Sequence, residues 1–290
     1  MNQVQHSYPL TWEQTVQWIR QQPDQADFVR LCYLDDPLIE AAERFTHSEE
    51  WKSVRQFLSR SSGHALDVGA GRGVSSYALA QDGWQVVALE PDPSHIVGAE
   101  AIHTFANRPG LKISVIQAWG ESIALKENTF DLVYARQVLH HSKILTQFCQ
   151  EVARVLRPRG RFIAVREHVI SKSEDLDEFL LSHPLQKFHG GENAFMLDEY
   201  VSAIEQSGLR IVKILGPFDS VINYYPMHYN EWRRRCIESL VQRIGRRPAI
   251  LLASPKHFVG RALLRHLSAR LSALTTTPGR IYSFVAEKPS

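Results

Sequence analysis

Three glycines at alternate positions, Gly69, Gly71 and Gly73, follow the apolar stretch Ala65-Leu66-Asp67-Val68. A carboxylate, Glu90, closes the next apolar stretch, Trp84 to Leu89. Glycines so spaced let backbone approach a ligand closely and take positive φ. A carboxylate after the second strand can accept two hydrogen bonds from a ribose diol. Strand, turn, helix and acid-terminated strand together make the pattern of a nucleoside-binding βαβ unit. Without a ligand the run would be a bare strand–turn–helix, and Glu90 argues against that reading.

Two details bear on which nucleoside is bound. The spacing is G-x-G-x-G, with Val74 where a dinucleotide fingerprint has a small residue. Asp67, two residues before the first glycine, would repel a pyrophosphate at close range. It would attract the ammonium and sulfonium of S-adenosylmethionine. That methyl donor is the expected ligand, with a dinucleotide as the competing one.

From about residue 63 to 167, a little over a third of the chain, the sequence resembles the class I S-adenosylmethionine-dependent methyltransferases. The likeness is to the broad small-molecule branch that includes the quinone methyltransferases. It implies that Gly69, Ala70, Gly71 and Gly73 form the turn against methionine and ribose, with Asp67 near the amino group and Glu90 on the ribose diol. The family often has an acid after the third strand that contacts the adenine amine. Trp119 stands there in this chain; an indole cannot accept that bond but can stack on adenine. Glu121 is the nearest substitute, or else a helix-start carboxylate. Arg136, at the end of the fourth strand, is expected at the methionine carboxylate, through its backbone or else its guanidinium. Leu139-His140-His141 matches a similar Leu-His-His of the family and would face the floor of the cleft, one histidine holding backbone.

Proton chemistry has its candidates nearby. The fifth strand ends Val165-Arg166-Glu167-His168, and strand ends of open α/β sheets face the ligand crevice. Glu167 would orient His168 as a general base; the competing reading is an Arg166–Glu167 ion pair with His168 solvated. His140 and His189 are further candidates. The segment 182–195 is polar, glycine-rich and aromatic, and its His189, Glu192 and Asn193 could bond a hydroxylated ligand. No helix pair or close spacing among the nearby histidines supports a metal site, and none is expected.

The elements that must position these groups alternate. Strands are expected at 64–68, 85–89, 112–117, 130–135, 161–168, 209–215 and 280–286, and helices near 73–82, 94–106, 145–157 and 197–207. The fold class is α/β: a Rossmann-like, seven-stranded, mostly parallel sheet with helices on both faces, whose last strand the resemblance makes antiparallel. Asp198 would cap the last of these helices and Gly208 end it. Pro158-Arg159-Gly160 replaces the first of two glycines in a family turn, and a type I variant is expected there, since Arg159 would resist positive φ.

Four regions follow: an N-terminal helical segment at 1–60, the cofactor-binding core at 61–215, a basic helical insertion at 216–279 and the last core strand at 280–290. The N-terminal helices would cover the cofactor cleft, as in the family, or simply pack on the sheet. The insertion carries Arg233-Arg234-Arg235, Arg243, Arg246, Arg247, Lys256, Arg261, Arg265 and Arg270 against few acids. Ile237, Leu240, Val241 and Ile244, then Val259, Leu263, Leu264, Leu267 and Leu271, recur at helical spacing. Two or more amphipathic helices with a basic face are expected. They would meet an anionic membrane peripherally, close over the acceptor or pack on the domain.

Of 290 residues 44% are hydrophobic, enough for a sizeable core, and the net charge of +2 argues neither for nor against nucleic acid. Three separated cysteines have no metal spacing and read as reduced packing residues. Met1 to His6 lacks a basic-then-apolar signal pattern, and no apolar run reaches spanning length. A cytoplasmic protein, at most peripheral at a membrane, is expected. Its function would be methyl transfer from S-adenosylmethionine to a small-molecule or lipid-linked acceptor, with oxygen favoured by the histidines. Alternatives are a non-catalytic S-adenosylmethionine-binding regulator, which would form no S-adenosylhomocysteine, and an RNA methyltransferase. Against the latter, the chain has no Asn-Pro-Pro-Tyr-type motif and no appended RNA module. No DNA partner is expected, and the sequence leaves acceptor, methylated atom and oligomeric state open.

Overall fold

The computed structural model describes residues 9–106 and 108–290, with backbone alone at Ser239 and Arg243. The signal-peptide reading of the first six residues, and the side chain of Arg243, lie outside the described residues. The strands are β1 (Gly63–Val68), β2 (Trp84–Leu89), β3 (Ile113–Ile116), β4 (Phe130–Arg136), β5 (Leu156–Ile170), β6 (Phe195–Met196), β7 (Arg210–Leu215) and β8 (Arg280–Glu287). The helices are α1 (Trp12–Arg20), α2 (Ala26–Leu31), α3 (Leu38–Thr46), α4 (Glu49–Val54), α5 (Val74–Gln81), α6 (Ala99–Ala106), α7 (Leu145–Val155), α8 (Asp175–Ser182), α9 (Gln186–His189), α10 (Leu197–Gln206), α11 (Val221–Tyr224), α12 (Tyr229–Ile244), α13 (Arg246–Leu252) and α14 (Phe258–Leu274).

The sheet order is β3-β2-β1-β4-β5-β8-β7, parallel throughout β1 to β5 and antiparallel at β8, with β6 paired to the end of β5. The central strands are short runs of Val, Leu, Ile and Ala because helices cover both faces: Leu66, Val133, Phe162 and Ala164 pack on one side, Ala65, Leu132, Ile163 and Val165 on the other. The strand order reverses between β1 and β4. Their carboxyl ends therefore open the crevice in which such sheets bind ligands.

The structure corrects several expectations. Sheet strands number eight, because Phe195–Met196, within the segment expected as a loop, pairs with Val169 and Ile170. Helix α6 starts at Ala99, not near 94, because Ser94 Oγ accepts the backbone N–H groups of Ile96 and Val97 and holds a turn there. Asp198 does not cap α10; the N-cap is Met196, whose N–H is taken by Glu199. Gly208 does end that helix, at φ +87°. Arg159 adopts φ +63° after all: its N–H bonds the Lys288 carbonyl at 2.8 Å and its guanidinium reaches Ser290, so the chain terminus holds the turn.

The N-terminal helices are tied to the glycine turn. Arg72 donates to the carbonyls of Tyr33 and Asp35 and pairs with Asp36, which Arg20 also binds. Leu10 N–H bonds the Phe188 carbonyl, and Trp12 and Trp18 lie against His189 and Phe188. Segment 10–36 and segment 182–195 thus close one side of the crevice together.

The insertion is helical, with its own small core of Trp232, Cys236, Ala253 and Leu264. The expected stripe on α14 is only partly buried: Leu264 is inside, whereas Val259 and Leu271 are exposed. Their places against the domain are taken by Ser268 and Ser272, and Ser272 accepts the Phe218 N–H. No helix among the described residues is long and apolar enough to cross a membrane.

Candidate active site

Two groups of side chains face the crevice, one suited to a nucleoside and one to proton or metal chemistry. The first is built by β1, β2 and the turn between β1 and α5. Gly69 and Ala70 both donate to the Leu89 carbonyl, which locks the turn to the end of β2. Gly71 donates to Glu90 Oε2 at 2.7 Å, and the Asp92 N–H bonds the other oxygen at 2.9 Å. Each carboxylate oxygen of Glu90 keeps accepting capacity beyond that bond. Burial pushes its pKa up to about 7. At Gly71, φ is +53°, and a Cβ would meet only the Val97 carbonyl oxygen, at 3.9 Å. The turn therefore borders open space on that side. A cradle of small residues beside a buried acid with spare lone pairs fits the ribose end of S-adenosylmethionine. Asp67 is buried below the turn, accepts from Ser76 Oγ at 2.6 Å and has its pKa raised to about 7, chiefly by burial.

The other residues expected around the cofactor are placed less simply. Trp119 lies beyond the end of β3, 61% exposed, its face free to stack apart from Lys143 Nζ at 5.5 Å. Glu121 binds the backbone N–H of Lys143 at 2.9 Å, so it organises the approach to α7. Arg136 does not offer a free guanidinium: Glu50 of α4, fully buried, takes it at 2.7 and 3.1 Å. Any contribution of this position to a carboxylate ligand falls to its backbone.

The second group sits at the ends of β4 and β5. Glu167 does not orient His168, and it does not pair with Arg166. Its carboxylate reaches instead to the segment after β4. There it accepts the N–H groups of Val138 and His140 at 3.2 and 3.1 Å and His140 Nδ1–H at 2.6 Å. Arg166, at φ +64° in a register shift between β5 and β8, turns its guanidinium to the carbonyls of Ile222 and Tyr225. His168 donates Nδ1–H to the Gly279 carbonyl at 2.9 Å and stacks edge-on to His140, ring centroids 4.7 Å apart. Burial holds His140 well below its ordinary range and His168 at about 3. Both rings are neutral, with Nδ1 protonated and Nε2 carrying a lone pair. His141 uses Nδ1 on the Gly191 carbonyl, and so is the backbone-holding member of the pair.

Segment 182–195 completes this side. Glu192 Oε2 lies 4.0 Å from His140 Nε2 and its Oε1 3.7 Å from His183 Nδ1. Its pKa is pushed up to about 7 by burial. His189 packs against Trp12, its Nδ1 buried without a partner among the described residues. The meeting of Glu192 and His183 with His140 and His168 was not readable from spacing, because the groups come from separate segments. The only local signal was a histidine-rich stretch around a glutamate. Glu50, which holds Arg136, and Arg72, which ties the N-terminal helices to the glycine turn, carried no signal at all.

Comparison with known proteins bears on the same part of the chain. Residues 66–164 match the family model described as "Methyltransferase domain". A ubiquinone biosynthesis O-methyltransferase of Methylobacterium sp. (strain 4-46) is 28% identical over 166 residues, 56% of this chain and 64% of that protein. The O-methyltransferase resE of Aspergillus sclerotiorum is 32% identical over 47% of this chain and 52% of that protein. The chain thus spans between about half and just under two thirds of the length of these relatives. In fold it is similar to a putative sarcosine dimethylglycine methyltransferase from Galdieria sulphuraria, with a TM-score of 0.54, 19% identity and coverage of 88% of this chain and 90% of that one. Residues 66–164 thus carry a methyltransferase domain, and its glycine turn and the buried acid that ends β2 are arranged as S-adenosylmethionine would require.

Proposed function

We propose that this protein transfers the methyl group of S-adenosylmethionine to a hydroxyl oxygen of a small-molecule or lipid-linked acceptor. The cofactor supplies a carbon already activated toward in-line displacement by its sulfonium. What remains for the chain is to align acceptor and methyl group and to take the hydroxyl proton. The observation that carries the reading is the buried Glu167–His140 pair: the acid holds Nδ1–H at 2.6 Å and leaves the Nε2 lone pair, 4.0 Å from Glu192 Oε2, to take a proton. An amine acceptor would need no such group. The oxygen reading is supported further by the O-methyltransferase names of the relatives above.

The test is turnover of purified protein with S-adenosylmethionine and a panel of phenols and hydroxylated lipids, read as S-adenosylhomocysteine. His140→Ala and Glu167→Gln should each lower turnover about a hundredfold or more, the scale of general-base loss, while cofactor affinity holds. Near-normal turnover in both variants would remove the proton-transfer role.

We further propose that the corner between α13 and α14 rests on an anionic lipid surface. Leu251, Phe258 and Val259 are 67, 71 and 62% exposed there, flanked by exposed Arg246, Arg247 and Lys256. Apolar side chains rimmed by cations suit the boundary between acyl chains and headgroups. The Arg233 to Arg235 run suits it less, because Arg233 is tied to the Ala253 carbonyl and Arg235 to Glu231.

A further inference from the structure

His140, His168 and Glu192 each offer one ligand atom, and these atoms lie within 4.8 Å of one another. The three residues come from the segment after β4, the end of β5 and the segment before β6. Each imidazole already has its outer nitrogen fixed, His140 by the Glu167 carboxylate and His168 by the Gly279 carbonyl. Histidines that ligate metals have this second partner almost as a rule, because it sets the tautomer and turns the bare nitrogen to the ion. The nitrogen left for an ion on each ring is then Nε2, and that of His140 lies 4.0 Å from Glu192 Oε2. A third imidazole, His183, has its buried Nδ1 3.7 Å from Glu192 Oε1 and without a hydrogen-bond partner among the described residues. Buried polar atoms normally have partners; an ion, or water held by one, would supply what this nitrogen lacks.

We propose that His140, His168 and Glu192 bind one divalent transition-metal ion of the zinc class, with His183 as a further donor beside Glu192. Two imidazoles and a carboxylate favour zinc-like ions over magnesium or calcium, which take oxygen ligands. Tetrahedral zinc with ligands at about 2.0–2.2 Å puts its donor atoms about 3.4 Å apart. The observed spread therefore closes by about an ångström on binding. Glu192 can make that movement, since it follows Gly190-Gly191 and a Cβ at Gly191 would meet nothing within 4 Å. His140 Nε2 has a single lone pair, so the ion and an acceptor's proton exclude each other at that atom. This consequence rests on the proton-acceptor reading above; the binding of the ion does not.

The experiment uses the full chain, stripped with a chelator and titrated with Co2+ and then Zn2+. Visible absorption reports four-coordinate Co2+, and calorimetry gives the Zn2+ stoichiometry. One equivalent is expected, with the Co2+ band lost in His168→Ala and in Glu192→Gln. Glu167→Gln, outside the coordination sphere, should weaken Zn2+ about tenfold to a hundredfold. Glu192→Gln preserves shape, and a wild-type melting curve would show it folded, so it decides the matter if His168→Ala fails to fold. No bound equivalent, or one that survives in Glu192→Gln with its absorption unchanged, would overturn the site. S-adenosylmethionine binding is measured separately on the same samples, so failure of the metal site and failure of the methyltransferase reading are told apart.

Discussion

At the residue scale the account turns on a few buried acids. Glu90 is held by two backbone N–H groups and offers its remaining lone pairs to the crevice. Its replacement by alanine should weaken S-adenosylmethionine by about 1.5–3 kcal/mol, the range for hydrogen bonds to a charged group, as read by calorimetry; unchanged affinity in a folded variant would remove it from the ribose. The glycines and Glu90 were legible in the sequence because the motif is local, with all its members within one βαβ unit. The partner of Glu167 was not legible. A strand acid beside a histidine suggests a neighbouring pair, but the fold brings the acid to His140, a contact spanning 27 residues. The partner of the Arg136 guanidinium was hidden for a similar reason. Only the folded chain brings Glu50, 86 residues earlier, to its guanidinium.

At the element scale, strands and helices with strong periodicity were legible, and those fixed by a single side chain were not. Helix α6 starts late because Ser94 makes a turn, and β6 exists only because the end of β5 gives it a partner. Asp131 at the base of β4 shows how the elements are pinned. It takes the His64 N–H of β1 and pairs with Arg60 and Arg157. Burial works against its ionisation, but these bonds and charges outweigh it and hold the carboxyl below its ordinary value of 3.8. A group whose acidity is strengthened by folding stabilises the native state above its unfolded value, and that stabilisation is lost as pH falls through the folded one. Urea midpoints should therefore be flat with respect to this group above about pH 5 and drop below the ordinary carboxylate range. In Asp131→Asn the midpoint should be lower at neutral pH and the acid drop smaller. An identical acid limb in variant and wild type would contradict the assignment.

At the scale of the whole molecule, the α/β class and the antiparallel last strand were legible from alternation and resemblance, and the two long helices between β7 and β8, α12 and α14, from their apolar periodicity. What the insertion exposes was not, because stripe residues such as Val259 and Leu271 face outward while serines face in. If the α13–α14 corner meets lipid, the protein should sediment with anionic vesicles at low salt and release as salt screens the contact. Arg246→Glu with Arg247→Glu should weaken that sedimentation and leave cofactor affinity unchanged; absence of sedimentation at low salt would leave the corner without a lipid role. The central claim, that this crevice is built for S-adenosylmethionine, is tested most directly by calorimetric titration of the purified chain with S-adenosylmethionine in the presence and absence of excess NAD. The account predicts one site that NAD does not displace; failure to bind S-adenosylmethionine, or its displacement by NAD at comparable concentration, would contradict it.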